Sequence, residues 1–274
     1  MNIVALQPTI EPYDVQLSPV LRRKKLAEHI TACVEKTSEN IELVVLPELC
    51  TLDYSDASFK RLAELAEEER GATFECFSFL AKTLRTAISF SIATCDDSAY
   101  YITNLVVDRT GDLISRYHKV HLAQLGASHE KEFFSGGRAF GAFELNGYRF
   151  GVLLCYDFRF PTYVQTLCQQ FDIDVLLHPV AFCKDATYLS WHQFVAARAV
   201  ENQVYLFSVN RAGQQWGRTI VCPPWVDEIS IPRVLGEEQS CEVVHVSKAY
   251  LNEVRSSYPI NRDRHDDYTM LDSP

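Results

Sequence analysis

Short apolar runs alternate with helical stretches along the chain, and this alternation constrains the fold more than any other feature of the sequence. Residues 43–46 are all apolar, whereas residues 22–37 place Leu26, Ile30 and Cys33 at helical spacing. Together with the apolar start of the chain, these segments predict a strand, a helix and a second strand in succession. Such alternation is typical of layered α/β proteins.

The rest of the chain continues this pattern. Further helices are predicted at 64–86, from Thr162 onward and at 190–202. Strands are predicted at 88–94, 101–108, 113–117, 140–145, 148–154, 175–177, 205–210 and 242–246. Turns are expected at 96–98, at 109–112 and at the Asn-Gly pair 146–147, which is the strongest hairpin signal. Because no repeat or low-complexity linker interrupts the chain, we predict a single domain over residues 1–274, with a charged tail from about residue 259.

Composition restricts the classes of partner. The formal net charge of −10 gives the long-range field the wrong sign for nucleic acid or anionic lipid, so we expect small-molecule partners. No apolar run approaches the length of a membrane span, and residues 1–8 resemble a short buried strand rather than a secretory signal. We therefore predict a cytoplasmic protein.

The nine cysteines are scattered at irregular spacings in apolar surroundings, as at Cys50 and Cys183. A chain that can build its own large core does not need a disulfide framework, so we interpret all nine as reduced thiols. No cysteine pair has zinc-ribbon spacing, and His118 and His121 lack further ligands at metal-binding spacing. We expect neither a metal nor a cofactor.

One cysteine occupies a distinctive position. Cys155 ends an apolar strand and begins the sequence Cys-Tyr-Asp-Phe-Arg-Phe-Pro, in which polar residues and a proline stop the strand before a helix. A strand-to-helix elbow exposes its side chain and directs the next backbone N–H, that of Tyr156, toward the same space. This geometry suits a nucleophile beside an oxyanion site. A buried structural cysteine fits the same sequence.

Glu48 and Lys119 also follow predicted strands. Burial directly after an apolar run raises the pKa of a carboxyl group such as Glu48 and suits a general base. A cation at Lys119 is placed to depress the pKa of a nearby thiol and to stabilise an oxyanion. The structural alternatives are a capping or salt-bridged glutamate and an ordinary solvated lysine.

The order of these three segments resembles the nitrilase superfamily, in which a glutamate, a lysine and a cysteine form the catalytic triad. Glu48, Lys119 and Cys155 occupy the matching positions. The resemblance extends through the sequence Trp-His-Gln-Phe-Val-Ala-Ala-Arg-Ala-Val-Glu-Asn at 191–202 and the strand end at 210–211. It implies a four-layer α-β-β-α sandwich, commonly paired into a homodimer or a higher homo-oligomer.

The resemblance also implies a second glutamate shortly before a glycine turn. Glu130 matches this position by its spacing to Gly137, and Glu132 is the alternative. The implied role is to orient Lys119 and the substrate in a hydrogen-bond network. A solvated loop of alternating charge is the structural alternative.

Two further features bear on the substrate. Arg159, shortly after the nucleophile, is placed to bind a substrate carboxylate, or else to hold Asp157 or a helix end. The chain departs from the family pattern at Thr219, where a serine is usual, and in the following segment 223–226. The shape of that pocket wall therefore does not follow from the resemblance.

The implied reaction begins when Glu48 accepts the thiol proton, Cys155 attacks an amide carbon, and Lys119 together with the Tyr156 N–H binds the oxyanion. The segment around Cys155 resembles omega-amidases and deaminated-glutathione amidases, so the expected substrate is a small carboxylate-bearing amide such as 2-oxoglutaramate. Tyr156 stands where larger nitrilases typically carry tryptophan, which argues against nitrile hydrolysis. The alternatives are an N-carbamoyl amide hydrolase and a non-catalytic scaffold that retains the fold.

Overall fold

A computed structural model describes residues 1–12, 18–96, 99–126 and 128–265. In chain order its strands are β1 (Asn2–Gln7), β2 (Leu43–Val45), β3 (Ala87–Cys95), β4 (Tyr100–Val107), β5 (Leu113–His118), β6 (Gln124–Leu125), β7 (Ser128–His129), β8 (Gly141–Leu145), β9 (Tyr148–Val152), β10 (Val175–Pro179), β11 (Tyr205–Val209), β12 (Ile220–Cys222), β13 (Arg233–Val234) and β14 (Ser240–His245). The helices are α1 (Pro19–Lys36), α2 (Asp56–Phe59), α3 (Leu62–Leu65), α4 (Ala72–Leu84), α5 (Pro161–Gln170), α6 (Trp191–Asn202), α7 (Lys248–Ser257) and α8 (Ile260–Asp263).

The strands form two six-stranded mixed sheets. The first has the order β14-β1-β2-β3-β4-β5, and the second has the order β13-β12-β11-β10-β9-β8. The central pairs β1/β2, β2/β3, β9/β10 and β10/β11 are parallel, whereas the outer pairs are antiparallel. Strand β14 pairs with β1, so the first sheet draws on both ends of the described chain.

The sheets pack face to face, and helices cover their outer faces. In β1, Ile3 and Ala5 belong to the core between the sheets, whereas Val4 and Leu6 belong to the core beneath α1 and α4. Helices α5 and α6 cover the second sheet in the same way. Central strands buried on both faces explain the continuous apolar runs in the sequence. The predicted four-layer α-β-β-α sandwich is confirmed.

One predicted helix is wrong in extent. The region 64–86 contains the end of α3 and all of α4, separated by the non-helical residues 66–71. Here the backbone of Glu67 pairs with β3, through the Glu67 N–H to Ala93 O and the Cys95 N–H to Glu67 O. The Glu67 carboxylate also accepts the Thr73 N–H at 2.7 Å near the start of α4. These tertiary hydrogen bonds have no periodic signature in the sequence.

The prediction that all nine cysteines are reduced is also wrong. Cys33 of α1 and Cys241 of β14 form a disulfide with a Cα–Cα distance of 6.6 Å. The pairing arises because α1 packs on the sheet in which Cys241 lies opposite Leu6. Their separation of 208 residues hides this proximity from the sequence. The other seven cysteines are free thiols.

Two predicted features fall partly outside the described residues. Positions 97 and 98 of the 96–98 turn and positions 266–274 of the charged tail are not described, whereas residues 260–263 form α8. Among the helices that the structure does describe, none combines the length and apolarity needed to cross a bilayer.

Candidate active site

Glu48, Lys119, Glu130 and Cys155 converge at one end of the sandwich. Glu48 follows β2, Lys119 follows β5 and Cys155 follows β9. The site is therefore built at the carboxyl ends of strands from both sheets. Lys119 Nζ lies 2.8 Å from Glu48 Oε1 and 2.6 Å from Glu130 Oε1. All three charged side chains have no solvent exposure. Lys119 is therefore a buried ammonium between two carboxylates, rather than a solvated surface lysine.

The position of Glu48 depends on contacts from both sheets. The Ala181 N–H, just beyond β10, donates to Glu48 Oε2 at 3.0 Å. The buried guanidinium of Arg211 donates to Glu48 O at 2.8 Å and lies 5.1 Å from the Trp216 ring centroid. The next residue, Leu49, has a φ of +49°. This left-handed conformation is uncommon for a residue that carries a side chain, and the surrounding contacts maintain it.

Glu130 is the second glutamate that contacts Lys119. It begins a single helical turn (Glu130–Glu132) after β7, and its Oε1 also accepts the Tyr54 hydroxyl at 2.6 Å. Its Oε2 accepts the Ala123 N–H at 2.8 Å. Glu132 is exposed and instead accepts a hydrogen bond from Gln124 Nε2 at 3.1 Å. The structure thus places Glu130 rather than Glu132 beside Lys119.

Cys155 lies at the predicted strand-to-helix elbow. It begins a single helical turn (Cys155–Arg159) and has a φ of +41°. The first hydrogen bond of that turn runs from the Asp157 N–H to Leu154 O, so the Tyr156 N–H precedes the helical hydrogen bonds. The expectation of an exposed thiol is wrong, since Cys155 is only 8% exposed. Residues of the segment beyond β10, such as Ala181, and of the segment before Glu130, such as Leu125, line the same small cavity as Cys155.

Asp157 anchors this elbow. Its carboxylate has no solvent exposure and accepts the Leu154 N–H at 3.0 Å, the Tyr117 hydroxyl at 2.6 Å and the His121 N–H at 2.8 Å. His121 also stacks on Phe160, with ring centroids 3.9 Å apart. His121, for which the sequence predicts no metal-binding role, therefore stabilises the elbow.

Burial dominates the protonation of the site. Burial raises the pKa of Glu48 to about 7, against the lowering effect of the Lys119 cation. Burial, followed by the charge of Glu48, raises the pKa of Cys155 well above its usual value. The nearby Lys119 cation lowers the pKa of Cys155, but by less, so the expected depressed thiol pKa is wrong. The resting site pairs a neutral thiol with a carboxyl group that titrates near neutral pH.

Lys119 keeps its charge in this buried position. Burial is the largest single influence on its pKa and lowers it, but the charges of Glu130 and Glu48 together raise the pKa above its usual value. A buried ammonium costs free energy unless it is paired and hydrogen-bonded. The two carboxylates meet that condition and preserve a cation beside Cys155.

Arg159 lies on the wall of a small cavity above the thiol. The cavity has a volume of about 30 Å³, and its lining includes Cys155, Arg159, Phe182 and Asp185. Arg159 Nη2 is 3.3 Å from Thr187 O and 3.4 Å from Ser190 Oγ, just before α6. It therefore contacts the residues before a helix, one of its predicted structural roles, and not Asp157.

The segment that departs from the family pattern lies elsewhere. Trp225 stacks on Tyr258 with ring centroids 3.8 Å apart, at the carboxyl end of α7. Thr219 Oγ1 accepts the Asn210 N–H at 2.9 Å. The altered segment 223–226 thus contributes no residue to the lining of the Cys155 cavity.

Fold and site together define a hydrolase with a buried thiol, carboxylate and ammonium at the end of a four-layer sandwich. The chain belongs to the carbon-nitrogen hydrolase family, whose sequence model matches residues 14–246.

Three known proteins illustrate the relationship. The chain is 28% identical to the omega-amidase NIT2 of Danio rerio, over 92% of this chain and 93% of that protein. It is 29% identical to the 2-oxoglutaramate amidase of Bacillus subtilis (strain 168), over 92% of this chain and 94% of that protein. The crystal structure of XC1258 from Xanthomonas campestris, a CN-hydrolase superfamily protein with an arsenic adduct in its active site, superimposes with a TM-score of 0.81 at 26% identity, covering 99% of both chains.

Proposed function

We propose that this carbon-nitrogen hydrolase is an omega-amidase-like enzyme that hydrolyses a small carboxylate-bearing amide to an acid and ammonia through a Cys155 thioester. The observation that carries the proposal is the placement of Lys119 Nζ at 2.8 Å from Glu48 and 2.6 Å from Glu130, close enough to interact electrostatically with Cys155. A base, a retained cation and a thiol are the groups that acyl transfer to sulfur needs.

In the first half-reaction, the Glu48 carboxylate accepts the thiol proton as the Cys155 sulfur attacks the amide carbon. The pKa of Glu48, about 7, suits this step because an effective base has a pKa near the working pH. The Lys119 ammonium and the Tyr156 N–H stabilise the oxyanion. Protonated Glu48 then donates to the leaving nitrogen, and ammonia departs.

In the second half-reaction, Glu48 removes a proton from water as the water oxygen attacks the thioester carbonyl. The C–S bond then breaks, the acid product leaves, and protonated Glu48 returns the proton to the Cys155 sulfur. The same oxyanion donors serve again, because both tetrahedral intermediates form on the same carbon. Glu130 keeps Lys119 charged and in place throughout, and the Tyr54 hydroxyl and the Ala123 N–H hold Glu130.

The substrate class rests on Arg159 and on the relatives. The relatives named omega-amidase and 2-oxoglutaramate amidase cover more than nine-tenths of the chain. Arg159 lines the cavity above Cys155 and offers a planar guanidinium, which suits a carboxylate. We therefore propose 2-oxoglutaramate, or an amide of similar size and charge, as the substrate.

Ammonia release from a small panel tests this function. The panel contains 2-oxoglutaramate, glutamine, simple aliphatic amides and N-carbamoyl amino acids, with Cys155→Ala as the control. Ammonia from the oxo-acid amide alone supports the proposal. Release of ammonia and carbon dioxide from the carbamoyl compounds only overturns the substrate class. No ammonia from any member of the panel favours a non-catalytic scaffold.

We further propose that residues 1–274 act as one domain, in a cytoplasmic homodimer or higher homo-oligomer. The pairing of β14 with β1 supports the single domain, and the sequence resemblance supports the oligomer. The Cys33–Cys241 pair makes the compartment testable, because disulfides are rare in reducing compartments. Light scattering tests the assembly, and thiol trapping in intact cells tests the compartment.

A further inference from the structure

Three buried polar side chains link helix α6 to the backbone of Cys155. Trp191 Nε1 lies 2.9 Å from Ser208 Oγ, and Ser208 Oγ lies 2.9 Å from His178 Nδ1. His178 Nε2 lies 2.9 Å from the carbonyl oxygen of Cys155. None of the three side chains is exposed to solvent. No step of the proposed reaction uses them.

The direction of each hydrogen bond in this relay is fixed by chemistry. A carbonyl oxygen only accepts, so His178 Nε2 carries the proton and donates to Cys155 O. Burial lowers the pKa of His178 to about 4, so the ring is neutral and its Nδ1 accepts the Ser208 hydroxyl proton. The Trp191 indole can only donate, and it donates to Ser208 Oγ. Every member is thereby satisfied in one consistent arrangement.

The relay controls a peptide unit that matters for catalysis. The carbonyl of Cys155 and the N–H of Tyr156 belong to the same planar trans peptide, so they point in opposite directions. A donor that fixes the carbonyl therefore also fixes the direction of the N–H. His178 holds this peptide by its carbonyl oxygen, which points away from the Tyr156 N–H that is assigned to the oxyanion.

We propose that His178, held by Ser208 and Trp191, is a positioning residue that locks the Cys155–Tyr156 peptide so that the Tyr156 N–H faces the oxyanion. This inference rests on the proposed function, because it needs Cys155 as nucleophile and the Tyr156 N–H as donor. Without His178, the buried Cys155 carbonyl loses its partner, which is costly for a buried polar group. Rotation of the peptide then relieves that cost and turns a carbonyl oxygen toward the forming negative charge.

The strained conformation of Cys155 makes such a lock necessary. Its φ of +41° is sparsely populated for a residue with a side chain, and such conformations persist only when neighbouring contacts hold them. Asp157 holds the peptide before Cys155, because the Asp157 N–H donates to Leu154 O at 3.0 Å, and His178 holds the peptide after it. The Phe158 ring, 4.7 Å from the His178 ring, packs against the lock.

Two reactions of the same thiol separate this role from a general structural one. Amide hydrolysis passes through an oxyanion, whereas alkylation of Cys155 by iodoacetamide displaces iodide at a saturated carbon and forms none. In purified His178→Leu, we expect kcat to fall about 100-fold, as for loss of one oxyanion donor, while KM and the alkylation rate of Cys155 stay within about threefold of wild type. Mass spectrometry of the peptide that carries Cys155 gives the alkylation rate.

Two further variants change members of the relay, and each is expected to lower kcat by a different factor. Ser208→Ala leaves His178 in place but frees its ring, so kcat is expected to fall by about tenfold. His178→Gln supplies an amide N–H at a similar reach and is expected to recover part of the loss. Thr86→Val is the matched control, because it removes another buried hydroxyl hydrogen bond, from Thr86 Oγ1 to Ile41 O at 2.9 Å, just before β3 and outside the relay.

The outcomes are distinguishable. A kcat unchanged in His178→Leu, or a parallel fall in kcat and alkylation rate, overturns the inference. If His178→Leu does not fold, Ser208→Ala decides by the same two rates. Full turnover in Cys155→Ala contradicts the proposed function itself, whereas an inactive Cys155→Ala beside a fully active His178→Leu contradicts only the role of His178.

Discussion

The guanidinium of Arg211 holds the backbone of Glu48 and not its carboxylate. Arg211 Nη2 donates to Glu48 O at 2.8 Å, and Nη1 donates to Leu52 O at 3.3 Å. Glu48, the proposed general base, therefore keeps both carboxylate oxygens for Lys119 and the Ala181 N–H. A cation close to Glu48 thus fixes its position without forming an ion pair with its carboxylate.

Replacing Arg211 is expected to damage both stability and turnover. Arg211→Met leaves buried carbonyl groups unpaired, and we expect the free energy of unfolding to fall by about 2–4 kcal/mol. Because the Glu48 loop loses its anchor, kcat is expected to fall more than tenfold, or about 1.4 kcal/mol of barrier, at a temperature where the variant is folded. Urea unfolding and ammonia release measure the two effects. Arg149→Ala, which removes an exposed ion pair with Asp172, is the control; equal losses in both variants would contradict this role.

The pH dependence of kcat/KM is expected to report Glu48. Because its pKa is raised to about 7, the carboxyl group is protonated below that pH and cannot accept the thiol proton. Activity should therefore rise with pH through an acid limb near pH 7. A pH profile of ammonia release checks this, and an acid limb near the ordinary glutamate value would show that another group is the base.

Glu130 and Glu132 provide a matched pair. Glu130→Gln removes a buried negative charge 2.6 Å from Lys119 Nζ, so we expect kcat to fall about 100-fold, as Lys119 loses a partner that holds it in place. Glu132→Gln alters an exposed side chain that does not contact Lys119, and its kcat should match wild type. Similar kinetic constants in the two variants would show that Glu130 has no role in the reaction.

Arg159 is expected to act on substrates that carry a carboxylate. In Arg159→Ala, KM for 2-oxoglutaramate should rise at least about tenfold, because the proposed charge-assisted contact with the substrate carboxylate is lost. KM for a neutral aliphatic amide should change little. If both substrates suffer equally, the contacts of Arg159 with Thr187 and Ser190 are its main role.

The Cys33–Cys241 disulfide should stabilise the fold without assisting the reaction. It closes a loop of 208 residues, for which chain entropy gives up to about 5 kcal/mol. Cys33→Ser is therefore expected to unfold at lower urea concentration than wild type, with unchanged kcat at 25 °C. A dithiothreitol titration of wild type is the companion measurement, and identical unfolding curves with and without reductant would refute the disulfide.

Sequence reasoning located the residues that follow apolar strands. Glu48, Lys119 and Cys155 stand where a buried run stops, and their order carried the resemblance. The sequence did not reveal the residues that hold these three side chains in place. His178 lies within the buried strand β10, so it reads as part of that strand, and Arg211 reads only as a strand end.

Other errors came from contacts between distant parts of the chain. The break between α3 and α4 depends on pairing with β3, and the disulfide depends on how α1 lies on β14. The raised pKa of Cys155 depends on its burial, and the cavity that it lines is completed by residues that precede and follow it in the chain. Local periodicity carries no record of such partners.

The site lies across the junction of the two sheets, and this has a consequence for folding. Glu48 and Lys119 follow strands of the first sheet and Cys155 follows a strand of the second, so neither sheet alone contains both the proposed base and the proposed nucleophile. A partly folded chain thus carries a thiol that lacks its proton acceptor. On the proposed mechanism, turnover therefore requires both sheets to be docked, which makes ammonia release an assay for completion of the sandwich.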